Sequence, residues 1–236
     1  MITKIINMFK KKQDKRKIYR SLSNYFPDRY VEKTIGLYQI FSYLKNKNIK
    51  GDIVECGVGR GVSIFKMAKI STILEMNKNI FGYDSFEGFP EPNIKDDSFR
   101  NPKKGDWSDT SIKHVEEHFL ESQILKDFFT KNVFLVQGFF DKTLPISSHK
   151  DIAFLHLDCD LYDSYRTCLK ELFKKVSKGG IVLIDEYKHA KWPGATKAID
   201  EFGQTIDLNI VYSKLLDRYL IVDFDENLYK SLQIEK

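Results

Sequence analysis

At 236 residues, with 42% hydrophobic and 14% aromatic residues, the chain is long enough to bury one large α/β core and too apolar to remain disordered. The formal net charge of +5 is local: residues 1–20 hold eight of the 38 Lys and Arg but one of the 33 Asp and Glu, so the body is near neutral and nucleic-acid binding is not expected. No apolar run approaches a membrane span, no signal cleavage site follows the N-terminus, and three cysteines (Cys56, Cys159, Cys168) without a CxxC pair read as reduced thiols in a cytoplasmic protein.

In chain order, Ile2, Ile5, Ile6 and Phe9 recur at helical spacing within a basic tail, residues 1–20. A solvated arm is the simple expectation, and contact with an anionic membrane the alternative. A single domain is expected over 21–236. Residues 28–48 place Tyr30, Ile35, Leu37, Tyr38, Ile40, Phe41 and Leu44 in a helical stripe. GDIVEC (51–56) predicts a strand running into a glycine loop, 61–77 a helix, and NIFGYD (79–84) a second strand. Residues 88–110 carry most of the loop signals and no periodicity, which predicts a lid reaching to about 118, with Phe99 and Trp107 as apolar anchors. A disordered insertion is the alternative there. NVFLVQG (132–138), DIAFLHLD (151–158) and GGIVLIDE (179–186) have the length and apolarity of strands buried on both faces. Helices are expected at 161–177 and 194–206, and NIVYS (209–213) with RYLIVDF (218–224) as a final hairpin-like pair. Strands alternating with helices predict a Rossmann-like, mostly parallel seven-stranded sheet with helices on both faces and an antiparallel strand near the C-terminus. Ligands in such sheets bind beyond the carboxyl ends of the strands.

The strand ends are where chemistry-bearing residues gather. The first runs Glu55-Cys56-Gly57-Val58-Gly59-Arg60-Gly61. Closely spaced glycines admit a ligand to the backbone and aim a helix N-terminus at it. A carboxylate before them repels a pyrophosphate but suits a cationic aminosulfonium ligand. Asp84, ending the second strand, can accept ribose hydroxyls, a device that NAD enzymes share. The later strands end His156-Leu157-Asp158-Cys159-Asp160 and Asp185-Glu186-Tyr187. Parallel neighbours bring these four acids together, and their unpaired burial would be prohibitive. Neither motif holds a Lys or Arg, so a hard divalent cation, Mg²⁺ first, is the expected partner. Asp158, Asp185 and Glu186 are the candidate ligands, and Asp160 the candidate general base. Helix capping by Asp160 or Asp163 is the plain alternative for one acid, not for all.

The run HLDCDLYDSYRTCLKELFKKVSKGGIVLIDEY, with GDIVECGVGRG, YDSFEGFPEP and QGFFDKTLP in the same order, resembles the macrocin O-methyltransferase (TylF-type) family. The resemblance implies a class I methyltransferase fold and metal-dependent transfer of a methyl group from S-adenosylmethionine to sugar hydroxyls, many on antibiotics. It implies cofactor contacts by Glu55, Gly57, Gly59, Asp84, Ser85, Gln137 and Gly138, metal ligation by Asp158, Asp185 and Glu186, and Asp160 as base. A saccharide or other small acceptor follows, and a homo-oligomer is compatible with it. The family commonly has aspartate where Glu186 stands, and residues 88–118 do not obviously resemble the family, which leaves the acceptor open. Rival expectations are an NAD-dependent sugar oxidoreductase and a non-catalytic scaffold tethered by the basic tail; neither uses clustered strand-end acids. His114-Val115-Glu116-Glu117-His118 matches a zinc motif, yet a polar helix face explains it without a metal. His189 reads as a hydrogen-bonded loop residue, with help in proton transfer the alternative, His149 and His156 have no evident partners, and Cys159 between acids is a poor thiolate.

Overall fold

The computed structural model describes residues 28–120 and 125–234; the basic tail lies outside them. A helix α1 (Asp28–Asn46) precedes β1 (Asp52–Cys56), α2 (Val62–Ile73) and β2 (Ile80–Asp84). After a long loop come α3 (Ile112–Leu120), α4 (Lys126–Asn132), β3 (Val133–Gln137), α5 (Phe140–Thr143) and β4 (Ile152–Leu157). Then follow α6 (Tyr162–Leu172), β5 (Val176–Ile184), α7 (Pro193–Gly203), β6 (Ile210–Ser213), β7 (Arg218–Ile221) and α8 (Glu226–Ser231).

The seven strands form one sheet in the order β3-β2-β1-β4-β5-β7-β6. The first five run parallel, β7 runs antiparallel to β5, and β6 pairs antiparallel with β7. Successive strand residues face opposite sides, and the two cores divide accordingly. Ile53, Phe154, Ile181 and Leu183 pack with Ile40, Phe41 and Leu44 of α1 and Met67 of α2 on one face. Val54, Leu155, Val182 and Ile184 pack with Tyr165 and Leu169 of α6 and Ile199 of α7 on the other. All six residues of β4 are buried, which is why that segment reads as a continuous apolar run. Among the described residues no helix is long and apolar enough to cross a membrane.

Every expected strand forms, and the differences lie at helix ends. Ile35 and Tyr38 point outward, 45% and 40% exposed, so the buried stripe of α1 is Leu37, Ile40, Phe41 and Leu44. The helix expected over 161–177 ends at Leu172; a 3₁₀ turn (Phe173–Lys175) follows and β5 begins at Val176, ahead of the paired glycines. The short helices α4, α5 and α8 had no sequence signal, since none spans two full turns of amphipathic pattern.

The long loop is ordered rather than an insertion without structure, and its anchors are not the expected ones. Phe99 is 75% and Trp107 59% exposed. The loop is held instead by Phe89, buried edge-on against Trp192 at 5.8 Å, and by Asp96 in a 3₁₀ turn (Ile94–Asp96). Asp96 accepts from the backbone N–H of Asn93 at 2.9 Å and of Tyr162 at 2.8 Å. The loop thereby supplies the cap that α6 lacks from its own N-cap residue, Leu161.

Candidate active site

β1 and β4 are neighbours although the chain leaves them toward opposite edges of the sheet, and such a switch point opens a crevice beyond the strand ends. Two backbones meet there. Gly57, at φ +97°, donates to the carbonyl of Tyr83 (2.9 Å), and Asp158 N–H donates to that of Cys56 (3.0 Å). A Cβ on Gly57 would lie 1.7 Å from the Asp158 carbonyl oxygen, so only glycine lets the first loop lie against the acidic strand end. Around Gly59 there is open space, and its N–H donates to Asp84 Oδ2 at 2.8 Å while Phe86 N–H donates to Oδ1 at 2.7 Å. From above, Thr110 donates to the Gly59 carbonyl at 2.6 Å and Asp109 pairs with Arg60. The cavity enclosed is about 1020 Å³, lined by this loop, by Asp84 and Ser85, by the strand-end acids, and by Phe89, Trp107 and Trp192.

Asp158, Asp160, Asp185 and Glu186 all line that cavity. Burial, then the charge of Asp185, pushes the Asp158 carboxyl above its usual range. Asp160 and Glu186 are pushed well above theirs by burial and by the acids around them. Glu186 Oε2 accepts from Tyr165 Oη at 2.5 Å and from the Asp160 N–H at 3.3 Å. Asp185 is the exception. Burial would raise it, but His156 and Arg218 together hold it well below the carboxylate range.

Neither strand-end motif holds a Lys or Arg, yet basic residues from elsewhere in the chain do reach the acids. Arg218 opens β7, and because β7 runs antiparallel to β5, with Tyr219 opposite Ile184, its first residue falls beside the carboxyl end of β5. Its Nη2 donates to Asp185 Oδ2 at 2.8 Å, and its Nε lies 2.6 Å from Oδ1 without hydrogen-bond alignment. Lys33 of α1 lies within electrostatic reach of Asp185 and Asp158. His156 does have partners: its Nδ1 is 2.9 Å from Glu55 Oε1 and its Nε2 4.0 Å from Asp185 Oδ1. Burial disfavours the imidazolium, but Asp185 and Glu55 carry it up to about 10. Burial pushes Glu55 up to about 7 against the pull of His156. His149, also paired, bridges Tyr83 Oη and Asp52 Oδ2 at 2.8 Å each.

Gly57, Gly59, Asp84, Ser85 and the four acids all line one cavity. Glu55, Gln137 and Gly138 are not among the residues lining it. Glu55 is wholly buried; it lies in register with His156 across β1–β4, and its carboxylate meets that imidazole. Gln137 ends β3, the outermost strand, and is exposed. Gly138, at φ +139°, spends its N–H on the Asp84 carbonyl at 2.9 Å, so it steadies the strand that carries Asp84. Capping does not account for Asp160, since Asp96 caps α6. His189 accepts from the Lys191 N–H at 3.2 Å, as a loop histidine would. All three cysteines are buried thiols, and burial pushes Cys159 up to about 12. Asp158 and Asp185, with His156, offer ligand atoms within 4.8 Å of one another, and His156 Nε2 and Glu55 Oε2 are buried without hydrogen-bond partners. The carboxylate oxygens of Asp158 and Asp185 suit a hard divalent cation, whereas His156, an imidazolium beside Asp185 and Glu55, would join them only after losing its proton. Arg218, Arg100 and Trp192 also line the cavity and were missed in the sequence; only the antiparallel placement of the last hairpin could have pointed to Arg218.

The model of the macrocin-O-methyltransferase (TylF) family matches residues 33–215. A demethyldecarbamoylnovobiocin O-methyltransferase from Streptomyces niveus is 30% identical over 181 residues, 75% of this chain and 68% of that protein. A methyltransferase from Streptomyces olivaceus, named for the 4'-hydroxyl of 8-demethyl-8-(2,3-dimethoxy-alpha-L-rhamnosyl)-tetracenomycin C, is 33% identical over 144 residues, 59% of this chain and 54% of that protein. The solved structure of the O-methyltransferase NovP superposes with a TM-score of 0.71 at 26% identity, covering 83% of this chain and 81% of that one.

Proposed function

We propose, because the chain belongs to the macrocin-O-methyltransferase (TylF) family, that it transfers a methyl group from S-adenosylmethionine to a hydroxyl of a saccharide acceptor with help from a divalent cation. The observation that carries this reading is the sharing of one cavity: the glycine loop and Asp84 line the same space as Asp158, Asp160, Asp185 and Glu186.

Gly57 and Gly59 offer bare backbone to the cofactor, and Asp84 faces its ribose. Each Asp84 oxygen already accepts one backbone N–H and retains capacity for a second bond, so the residue fixes the loop and receives the ligand together. Asp158, Asp185 and Glu186, with His156 beside them, are the groups that would hold a divalent cation. Glu186 has Oε2 committed to Tyr165 and the Asp160 amide and lies outside the set whose ligand atoms converge, so it would join the cation only through Oε1. When bound, the cation would stabilise a developing alkoxide and orient neighbouring hydroxyls. Asp160 takes the hydroxyl proton. Burial and the neighbouring acids push its carboxyl well above the usual range, which favours the protonated form; a divalent cation among those acids would offset their charge and leave Asp160 ionised to act as base. The residues of the loop over 88–110 that line the cavity, Phe89 and Trp107 among them, shield the reacting atoms from water. When bound, S-adenosylmethionine would bring an already electrophilic methyl group, and the residues lining the cavity would contribute mainly by positioning the acceptor hydroxyl against it.

The test is incubation with S-adenosylmethionine deuterated in its methyl group and glycosides that carry free vicinal hydroxyls, beginning with the acceptors named for the relatives. Labelled methyl on a sugar oxygen, lost with EDTA and restored by Mg²⁺, is expected. Transfer undiminished by EDTA would remove the metal from the reading, and transfer to a nitrogen or carbon atom would remove the alcohol acceptor.

A further inference from the structure

Asp185 differs from its acidic neighbours in having a dedicated cation. Nη2 of Arg218 bonds its Oδ2 at 2.8 Å, and Nε sits 2.6 Å from its Oδ1. Both carboxylate oxygens therefore face one guanidinium. The ion pair is largely removed from water, with side-chain exposures of 20% and 22%, and both residues line the cavity. A shielded charge pair of this kind is strong while both partners stay and costly when one is removed. Asp185 is also one of the groups whose ligand atoms converge with those of Asp158 and His156. The same lone pairs are thus wanted by two cations. The guanidinium has a second perch: Nη1 donates to the Asp217 backbone oxygen at 2.7 Å and lies 3.7 Å from the Asp217 carboxylate. The backbone beneath it is pinned on both sides, with Arg218 opposite Ser213 in β6 and Tyr219 opposite Ile184 in β5. Only the side chain is free to change partner.

We propose that Arg218 competes with the divalent cation for Asp185, holding the acid cluster together when no cation is bound and giving up Asp185, while keeping its contact with Asp217, when one is. This rests on the reading that Asp158 and Asp185 hold a divalent cation. Arg218 is then a positioning residue that sets how tightly the metal binds. Without it, the apo protein would keep several acids facing one another with less compensation, and a divalent ion would meet one rival fewer for Asp185, with His156 and Lys33 still nearby.

The experiment is Mn²⁺ binding, followed by electron paramagnetic resonance of free Mn²⁺ and by thermal unfolding, on the full chain and on Arg218→Gln. The full chain should bind Mn²⁺ at one site. Arg218→Gln should bind it at least about five-fold tighter, unfold at a lower temperature without metal, and gain more from saturating Mn²⁺ than the full chain does. An affinity within two-fold of the unsubstituted protein, or a weaker one, overturns the proposal while leaving the metal site standing. Failure of the full chain to bind Mn²⁺ at all overturns the metal reading itself, and the competition with it. Arg218→Lys keeps the charge but loses the two-pronged contact. It should bind Mn²⁺ more than two-fold tighter than the full chain, and an unchanged affinity decides against competition even where the glutamine variant does not fold.

Discussion

Gly57 and Asp160 both sit in the left-handed region, at φ +97° and +58°, for opposite reasons. At Gly57 a Cβ would collide with the Asp158 carbonyl, so Gly57→Ala must push the glycine loop off the acidic strand end. That is backbone strain plus a clash at a buried junction, worth about 3 kcal/mol or more. Chemical denaturation should show such a loss, together with loss of S-adenosylhomocysteine binding; a stability within about 0.5 kcal/mol of the parent would show that the loop can move aside. At Asp160 the strained backbone carries a side chain, and the chemistry proposed for it explains why. Asp160→Asn keeps the shape and removes proton acceptance. Turnover should fall by roughly two to four orders of magnitude, Mg²⁺ affinity should stay within a few-fold, and activity should recover in part as pH rises because hydroxide replaces the base. Rescue by excess Mg²⁺ without rescue by pH would instead make Asp160 a ligand.

At the scale of elements, the loop between β2 and α3 and the start of α6 hold each other in place. Asp96 accepts from the Tyr162 N–H, Lys95 Nζ bonds Tyr162 Oη at 2.6 Å and Glu201 at 3.1 Å, and Asn93 Nδ2 donates to Asp163 Oδ2 at 2.9 Å. The helix that starts two residues after Asp160 is therefore capped by the cover of its own site. Asp96→Ala removes the cap and leaves buried N–H groups unpaired, a cost of about 1–3 kcal/mol. Limited proteolysis should cut first within 97–110 and faster than in the parent; identical cleavage rates would mean the cover is fixed elsewhere. None of this was legible in the sequence. Strands such as β4 announce themselves because burial on both faces demands unbroken apolarity. Asp96 looks like any loop acid, since its partners are distant in the chain, and Phe99 and Trp107 misled because an aromatic in a loop does not say whether it faces a core or a cavity. Here Trp107 lines the cavity, and Phe89, also in that loop, is the one that is buried.

Across the whole molecule, the sheet order brings the parts of the site together. Parallel pairing of β1 with β2 and β4, and of β4 with β5, sets the glycine loop, Asp84 and the acids at one edge. This much followed from strand-end residues and the alternation of strands and helices. Arg218 arrives only because β7 reverses direction beside β5, a pairing that no local pattern encodes. The pairing of Glu55 with His156 was hidden for the same reason, being a cross-strand contact. Membership of the macrocin-O-methyltransferase (TylF) family and the fold shared with NovP agree with this assembly. The central claim is that the one cavity takes S-adenosylmethionine beside a divalent ion, and thermal unfolding with S-adenosylhomocysteine, Mg²⁺ and NAD tests it most directly. A ligand at about a hundred times its Kd adds about 2.7 kcal/mol to the folded state, which for a chain of this size raises Tm by about 5–10 °C. S-adenosylhomocysteine should produce such a shift, Mg²⁺ should add to it, and NAD should produce none. A shift with NAD and none with S-adenosylhomocysteine would contradict the account.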